Sequence, residues 1–328
     1  MSVVYGPVPS WRLGNSLGID PILPPKRCTY DCIYCQLGPT KEKITTLEKV
    51  EVTPSIVRAH LRRKLRTLDL DDIDYITLSG SGEPTLNPLL GEIILVIREE
   101  TKGRVPIAIL TNASLLWRPE VRKALRKVDL VVAKVDAVDE DLYIKINRPH
   151  AALSLGVVLK GIELFRREFQ GKLAAQVMLL KKDNLKNITP RHIAKLRKVL
   201  SSIQFDEIQL NTPLRPPADP KVLPLSHHEI NQIAKELASL GIPILTPFTP
   251  RAIRKVHELS DTIEEEILDL LRRRPSDVDS LARILPFSEE EIKRALNVLM
   301  AKRLVDRITY RGRVFYKACE VSSDASPK

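Results

Sequence analysis

Along the first three quarters of the chain, short β-branched runs alternate with longer stretches whose apolar positions recur every three to four residues. The short runs predict strands at residues 16–22, 75–79, 106–110, 130–135, 173–180 and 207–210. The longer ones predict helices at 54–68, 88–99, 119–126, 154–169, 189–202 and 226–240. Thr53 is a suitable N-cap for the first helix, which carries Ile56, Ala59, Leu61 and Leu65 near one face. Strands separated by helices pair in parallel through right-handed crossovers, since a tight turn cannot join parallel neighbours. The expected class is α/β, and six strands suit either a curved partial barrel or an open doubly wound sheet.

Residues 242–253, with Pro243, Pro247 and Pro250, break the alternation and read as a linker or a last strand. Beyond them, Thr262 caps a helix to Arg273, Pro275 and Ser276 separate a short helix to about Ile284, and Ser288 with Glu291 makes a capping box for a third helix ending near Arg303. Residues 305–309 and 314–317 then alternate around Tyr310, Arg311, Gly312 and Arg313 as a β-hairpin. Three helices and a hairpin predict a small C-terminal winged helix-turn-helix domain. The expected organisation is a core domain over 1–250, a linker over 251–261, the winged helix-turn-helix over 262–318 and a frayed tail over 319–328. Residues 5–14 are rich in turn formers and hold Trp11, so they read as a lid or a packed N-terminal arm.

With 328 residues, 43% of them hydrophobic, the chain can bury one large core and a second small one, which fits two domains. No apolar run is long enough to span a bilayer, and the N-terminus lacks the basic start and apolar core of a signal peptide. A cytoplasmic protein with reduced cysteines and no membrane partner is expected. Lys and Arg number 52 against 41 Asp and Glu, a net charge of +11 that suits a nucleic-acid partner and also a surface laced with ion pairs.

Three of the four cysteines, Cys28, Cys32 and Cys35, fall within eight residues. Such short gaps disfavour internal disulfides and leave an odd thiol, whereas thiolates so spaced can wrap one metal centre. A structural zinc needs four ligands and an ordinary 4Fe-4S cluster needs four cysteines, so three with no fourth nearby point to an open position for a substrate or cofactor. The competing readings are three buried thiols, or zinc completed by a distant residue such as His60.

The spacing C-x3-C-x2-C, with Tyr34 just before the last cysteine, resembles the cluster loop of the radical S-adenosylmethionine (radical SAM) enzymes. The resemblance implies a six-stranded partial (β/α) barrel with its cofactors at the C-terminal ends of the strands. It also implies a 4Fe-4S cluster with one iron on each of Cys28, Cys32 and Cys35, and S-adenosylmethionine chelating the fourth. Tyr34 would then pack near the adenine. Gly80, Ser81, Gly82 and Glu83, at the end of the second expected strand, are similar to the family's Gly-Gly-Glu motif, whose glutamate and backbone hold the methionine ammonium. Asn112 and Asp136 would surround the methionine and ribose, and an external electron donor would reduce the cluster.

Residues 5–35 and 79–88 are also similar to radical SAM proteins likened to tRNA-wyosine synthases, which implies tRNA or another RNA as substrate. The chain departs from those synthases, having no cysteine before Cys28 for a second cluster, and from molybdenum-cofactor cyclases, because Cys319 stands alone. The expected activity is reductive cleavage of S-adenosylmethionine to a 5'-deoxyadenosyl radical. It would serve RNA base modification, or the activation or modification of a protein partner docked on the winged helix-turn-helix domain. A redox-responsive regulator that binds nucleic acid is the non-enzymatic alternative. Arg307, Arg311 and Arg313, with Tyr310 and Tyr316 between them, suit RNA contact, whereas Glu289, Glu290 and Glu291 at the start of the third helix would repel phosphates. Arg148, Lys181, Lys182, Asn211 and Arg215 also follow strand ends and are candidates to hold an anionic substrate.

Overall fold

The computed structural model describes residues 2–249 and 262–319, so the expected linker at 251–261 and all of the expected tail except Cys319 lie outside the described residues. The chain opens with an antiparallel pair, β1 (Val4–Ser10) and β2 (Gly14–Ile19). Next come α1 (Pro54–Lys64), β3 (Tyr75–Leu78), α2 (Leu90–Glu100), β4 (Ile107–Thr111), α3 (Pro119–Leu125), β5 (Leu130–Lys134), α4 (Glu140–Asn147), α5 (Leu155–Glu168) and β6 (Lys172–Met178). A small hairpin of β7 (Lys181–Lys182) and β8 (Leu185–Lys186) precedes α6 (Pro190–Ile203), β9 (Glu207–Asn211), α7 (His227–Leu237) and β10 (Ile244–Leu245). The C-terminal unit holds α8 (Ile263–Leu271), α9 (Val278–Ile284), α10 (Glu289–Ala301), β11 (Val305–Tyr310) and β12 (Arg313–Ala318).

One sheet runs in the order β1-β2-β3-β4-β5-β6-β9-β10, parallel throughout except for β1. The order never reverses. Successive right-handed crossovers therefore lay the helices on one face, and the sheet curls into a half-barrel; an open doubly wound sheet would need a reversal of strand order. Of the two readings of residues 5–14, the packed N-terminal arm is the one the structure shows, because most of them form β1. Pro7 and Pro9 read as turn signals, yet an edge strand tolerates proline, and a register shift between Tyr5 and Val8 accommodates Gly6 at φ +87°. β10 settles the ambiguity at 242–253 in favour of a short last strand for its described part.

The two faces of the sheet carry different side chains. Leu17, Ile19, Ile76, Leu78, Ile107, Ile109, Val131 and Leu173 belong to the large core under the helices. Alternate positions face inward, where Ser16, Gly18, Thr77, Ala108 and Ala174 are small or polar. The outer face can therefore pack densely while the inner face leaves room for a cavity. Gly18 has a specific reason to be glycine: a Cβ there would lie 2.1 Å from the Tyr5 ring, which crosses it to reach Ser79.

Two of the C-terminal helices, α8 and α10, begin at the caps expected from sequence, with complete capping boxes at Thr262 with Glu265 and at Ser288 with Glu291. Their core, which includes Ile267, Leu271, Leu281, Ile292 and Leu296, also takes in Tyr5 and Val8 of β1. Two buried ion pairs lock the units together. Lys64 of α1 meets Glu266 of α8 at 2.6 Å, and Arg273 meets Asp20 at 3.1 Å. Buried charges so paired become costly when one partner is lost. Glu266→Ala is expected to lower unfolding free energy by about 3–5 kcal/mol and to speed amide exchange in both α1 and α8, as measured by denaturant titration and hydrogen exchange. A loss below about 1 kcal/mol would show that Lys64 reaches water when its partner is removed.

Candidate functional site

The cysteine loop has no helix or strand of its own, and its shape is set by its neighbours. Arg27 N donates to Ser81 O at 3.3 Å, Glu83 N returns a bond to Arg27 O at 3.0 Å, and Ile33 N donates to Ile146 O of α4 at 3.0 Å. Buried Thr29 accepts from Asn112 Nδ2 at 2.7 Å and shares a hydroxyl bond with Ser114 at 2.8 Å. The loop is thereby stitched to the turn after β3, to the end of β4 and to α4, all at the C-terminal edge of the sheet.

Two glycines let these parts approach. A Cβ on Gly80 would fall 2.1 Å from Asp20 Cγ, and one on Gly82 would fall 1.9 Å from Arg27 O. Their first role is to admit the chain's own groups, and both also line the cavity described below. Glu83 is buried. One of its oxygens accepts from Thr85 N (3.1 Å), Thr85 Oγ1 (2.6 Å) and Thr111 Oγ1 (2.6 Å), and the other accepts from Asn112 N (2.7 Å). Burial raises its pKa, against the lowering effect of the bonds from Thr111 and Thr85. The carboxylate braces the turn against β4 and is absent from the cavity lining.

Tyr34 and Asp136 form a second brace. The Tyr34 hydroxyl donates to Asp136 Oδ2, which also accepts from Asn147 Nδ2 at 2.8 Å, while Asp136 Oδ1 accepts from Met178 N at 2.9 Å. Lys134 Nζ donates to the Tyr34 oxygen at 2.6 Å and lies 3.8 Å from Asp136. Burial and the nearby Asp136 charge push the Tyr34 hydroxyl well above its ordinary pKa, so it stays protonated as a donor. Burial opposes the charge on Lys134, yet Asp136 and the three cysteines together raise its pKa.

The three thiols lie within one electrostatic neighbourhood. Burial, Glu83 and Cys32 push Cys28 up to about 12, and burial also raises Cys32, against Lys134 and Asn147. Lys26, itself raised by Cys35, Cys28 and Cys32 against burial, stands beside all three. Asn112 Nδ2 lies 3.6 Å from Cys28 Sγ and Asn147 Nδ2 lies 3.5 Å from Cys32 Sγ. This donor set fits a 4Fe-4S cluster: three free cysteines, amide donors at two sulfurs, and two cations to balance thiolate charge. Among the described residues no three His, Cys, Asp or Glu side chains converge on a single metal ion. A cluster asks for less convergence, since each thiolate takes a different iron. His60 is occupied elsewhere, bonded to Ser2 Oγ at 3.2 Å and Val3 N at 3.1 Å, and Cys319 sits beside Asp306 in the C-terminal unit.

A cavity of about 440 Å³ opens between the inner face of the sheet, the cysteine loop and the end of α8. Cys35, Gly80, Gly82 and Lys134 line it beside Arg12 and Arg274. Sequence reading missed Asp20, Arg12, Arg273 and Arg274 as site residues. Asp20 looked like a strand residue, and the arginines looked like turn and helix-end charges. Several candidates at the strand ends are instead neutralised: Arg148 pairs with Asp31 at 3.4 Å, Lys181 with Glu229 at 2.8 Å and Lys182 with Asp219 at 2.6 Å. Asn211 and Arg215 do line the cavity.

Residues 22–189 match the family model described as Radical SAM superfamily. A UPF0026 protein of Methanocaldococcus jannaschii is 35% identical over 324 residues, covering 96% of each chain. Among solved structures, a radical SAM methyltransferase from Sphaerobacter thermophilus superposes with a TM-score of 0.53 at 16% identity, over 70% of this chain and 65% of that one. Streptococcus suis SuiB bound to S-adenosylmethionine superposes with a TM-score of 0.50 at 15% identity, over 67% of this chain and 48% of that one. The chain belongs to the radical SAM superfamily, and it is an enzyme of that class with a 4Fe-4S cluster and S-adenosylmethionine as its cofactors.

Proposed function

We propose that this chain cleaves S-adenosylmethionine reductively and directs the resulting radical at a substrate held in the cavity beneath the C-terminal unit. The observation that carries this reading is the stitching of the cysteine loop to the ends of β3 and β4, which makes Cys35 and the glycine turn walls of one cavity. Cys28, Cys32 and Cys35 would hold the cluster, and the turn at Gly80 and Gly82 would receive S-adenosylmethionine. Bound together, these groups supply a 5'-deoxyadenosyl radical able to take hydrogen from an unactivated C–H bond. The protein's own contribution is position and exclusion of water. Leu13, Leu110 and Met178 line the cavity with apolar surface, and Arg273 and Arg274 close one side. Lys26 and Lys134 favour the thiolate form of the cysteines that iron requires.

RNA base modification is the second reading, and exposed Arg307, Arg311 and Arg313 on the β11–β12 hairpin favour it. In this reading the three helices and hairpin act as a winged helix-turn-helix that draws phosphates through its wing. α10 opens with Glu289, Glu290 and Glu291, so it is poorly suited to enter a DNA groove. The wing also contacts the barrel: the Tyr310 hydroxyl donates to Pro213 O at 3.3 Å, and Lys317 Nζ donates to Leu37 O at 3.1 Å.

Anaerobically reconstituted protein with a strong reductant is expected to form 5'-deoxyadenosine, and Cys32→Ala is expected to form none above background by chromatography. Equal yields from both proteins would overturn the radical reading. Stimulation by bulk tRNA, lost in Arg311→Ala with Arg313→Ala, would support RNA as the substrate; a tRNA-independent yield would remove that support. A further prediction concerns Glu83. Because burial raises its pKa in the fold, the unfolded chain releases its proton first, and this carboxyl's contribution to stability declines as pH rises from about 4.3 through the raised value. In cluster-free protein, wild type should therefore lose stability relative to Glu83→Gln across that window and hold a constant difference above it, as read by denaturant titration at stepped pH. A difference that moves in wild type's favour would contradict the assignment.

A further inference from the structure

Each of the three cysteines in the loop has a polar donor aimed at its sulfur, and the donors come from separate parts of the chain. Asn112, just after β4, reaches Cys28 Sγ from 3.6 Å, and Asn147, the last residue of α4, reaches Cys32 Sγ from 3.5 Å. The remaining hydrogen bonds decide which way round each amide sits. Asn112 Oδ1 accepts from Ser114 N at 3.0 Å, so its NH2 must face the loop, where it also donates to Thr29 Oγ1 at 2.7 Å. Asn147 Nδ2 donates to the Asp136 carboxylate at 2.8 Å, a group that only accepts, and the second hydrogen of that nitrogen is left for Cys32. The third donor is a cation. Lys26 Nζ is held by Gly38 O at 2.6 Å and bonds Cys35; burial opposes its charge, yet Cys35, Cys28 and Cys32 raise its pKa. None of the three residues belongs to the lining of the cavity, so these groups address the sulfurs and not a ligand within it.

Donors so placed act on the energy of an added electron. Reduction makes a cluster and its thiolates one charge more negative, and part of that charge lies on the sulfurs. In a buried site little water is present to stabilise it, so fixed N–H dipoles and a nearby ammonium take over that task. All three favour the reduced form and raise the reduction potential. Both amides are held by protein partners, Ser114 and Asp136, so they are oriented before any electron arrives. From this arrangement we infer that Asn112, Asn147 and Lys26 set the potential at which an external one-electron donor reduces the cluster. They are positioning residues that act through the sulfurs. The inference rests on the proposed function only for the placement of the cluster on Cys28, Cys32 and Cys35.

Potentiometric titration of the anaerobically reconstituted full-length protein, followed by electron paramagnetic resonance of the reduced cluster, reads the midpoint directly. Lys26→Met is expected to lower the one-electron equilibrium constant at least about tenfold, a shift of about 59 mV to lower potential. Asn112→Leu and Asn147→Leu are each expected to lower it at least about threefold, or about 28 mV. Lys26→Arg keeps the charge and should restore most of the midpoint, which a merely structural loss would not do. Exposed Lys160, paired with Glu163 on α5, supplies the control, since Lys160→Met should leave the midpoint unchanged. Iron content shows that each variant carries its cluster, and half-buried Lys26 keeps the test open should a buried asparagine variant fail to load. Midpoints unchanged or raised in the cluster-loaded variants overturn the assignment. Formation of 5'-deoxyadenosine with excess reductant is read on the same preparations. Shifted midpoints without radical chemistry would sink the proposed function alone, and intact chemistry with unshifted midpoints would sink this inference alone.

Discussion

The arrangement depends on one buried carboxylate. Asp20 follows β2 with no exposed surface, and it accepts from Ser81 N at 3.0 Å, Ser81 Oγ at 2.7 Å and Arg273 Nε at 3.1 Å. An unpaired charge at that depth would be unfavourable, and the pairing with Arg273 offsets its desolvation. Three parts of the molecule therefore meet at a single residue: the sheet, the turn carrying Gly80 and Gly82, and the C-terminal unit. Arg273 also donates to Ser2 O at 2.6 Å and lies 4.6 Å from the centre of the Tyr5 ring, so the edge strand is gathered into the same joint. The C-terminal unit is consequently a wall of the site. Its next residue, Arg274, faces the cavity.

The division of labour within the sheet follows from side-chain alternation. Branched residues on the outer face bury against the helices and hold the strands in place, while glycine, alanine and hydroxyl residues on the inner face leave volume free. Gly18 lines the cavity, and a side chain there would collide first with the Tyr5 ring. Fixed polar groups then work from the rim. Glu83 braces the glycine turn against β4, and Asp136 braces Tyr34 and Lys134, so each carboxylate supports a neighbour that is closer to the cavity or to the sulfurs.

Much of the fold was legible because parallel strands buried on both faces stand out as short β-branched runs between amphipathic helices. The C-terminal helices were legible from their caps, Thr262 and Ser288. β1 was hidden by Gly6, Pro7 and Pro9, β10 by having only two residues, and α4 by being barely two turns long, too short for its period to register. In the site, the cysteine spacing is local and could be read directly. The orientation of Glu83 could not, because Thr111 and Asn112 reach it only through the pairing of β3 with β4. Arg12, Arg215 and Arg274 are far apart in sequence, and nothing local marks any of them; Arg274 reads as a basic residue suited to a helix C-terminus.

The central claim is that the cysteine loop and the glycine turn form one cofactor site. Electron paramagnetic resonance of the reduced, reconstituted protein, recorded before and after S-adenosylmethionine is added, tests it most directly, because the signal would report on the iron that three cysteine ligands would leave open. A 4Fe-4S signal whose g values shift on addition of S-adenosylmethionine, and which is lost in Cys32→Ala, is the predicted result. A signal that S-adenosylmethionine leaves unchanged, or one that survives in Cys32→Ala, would contradict the account.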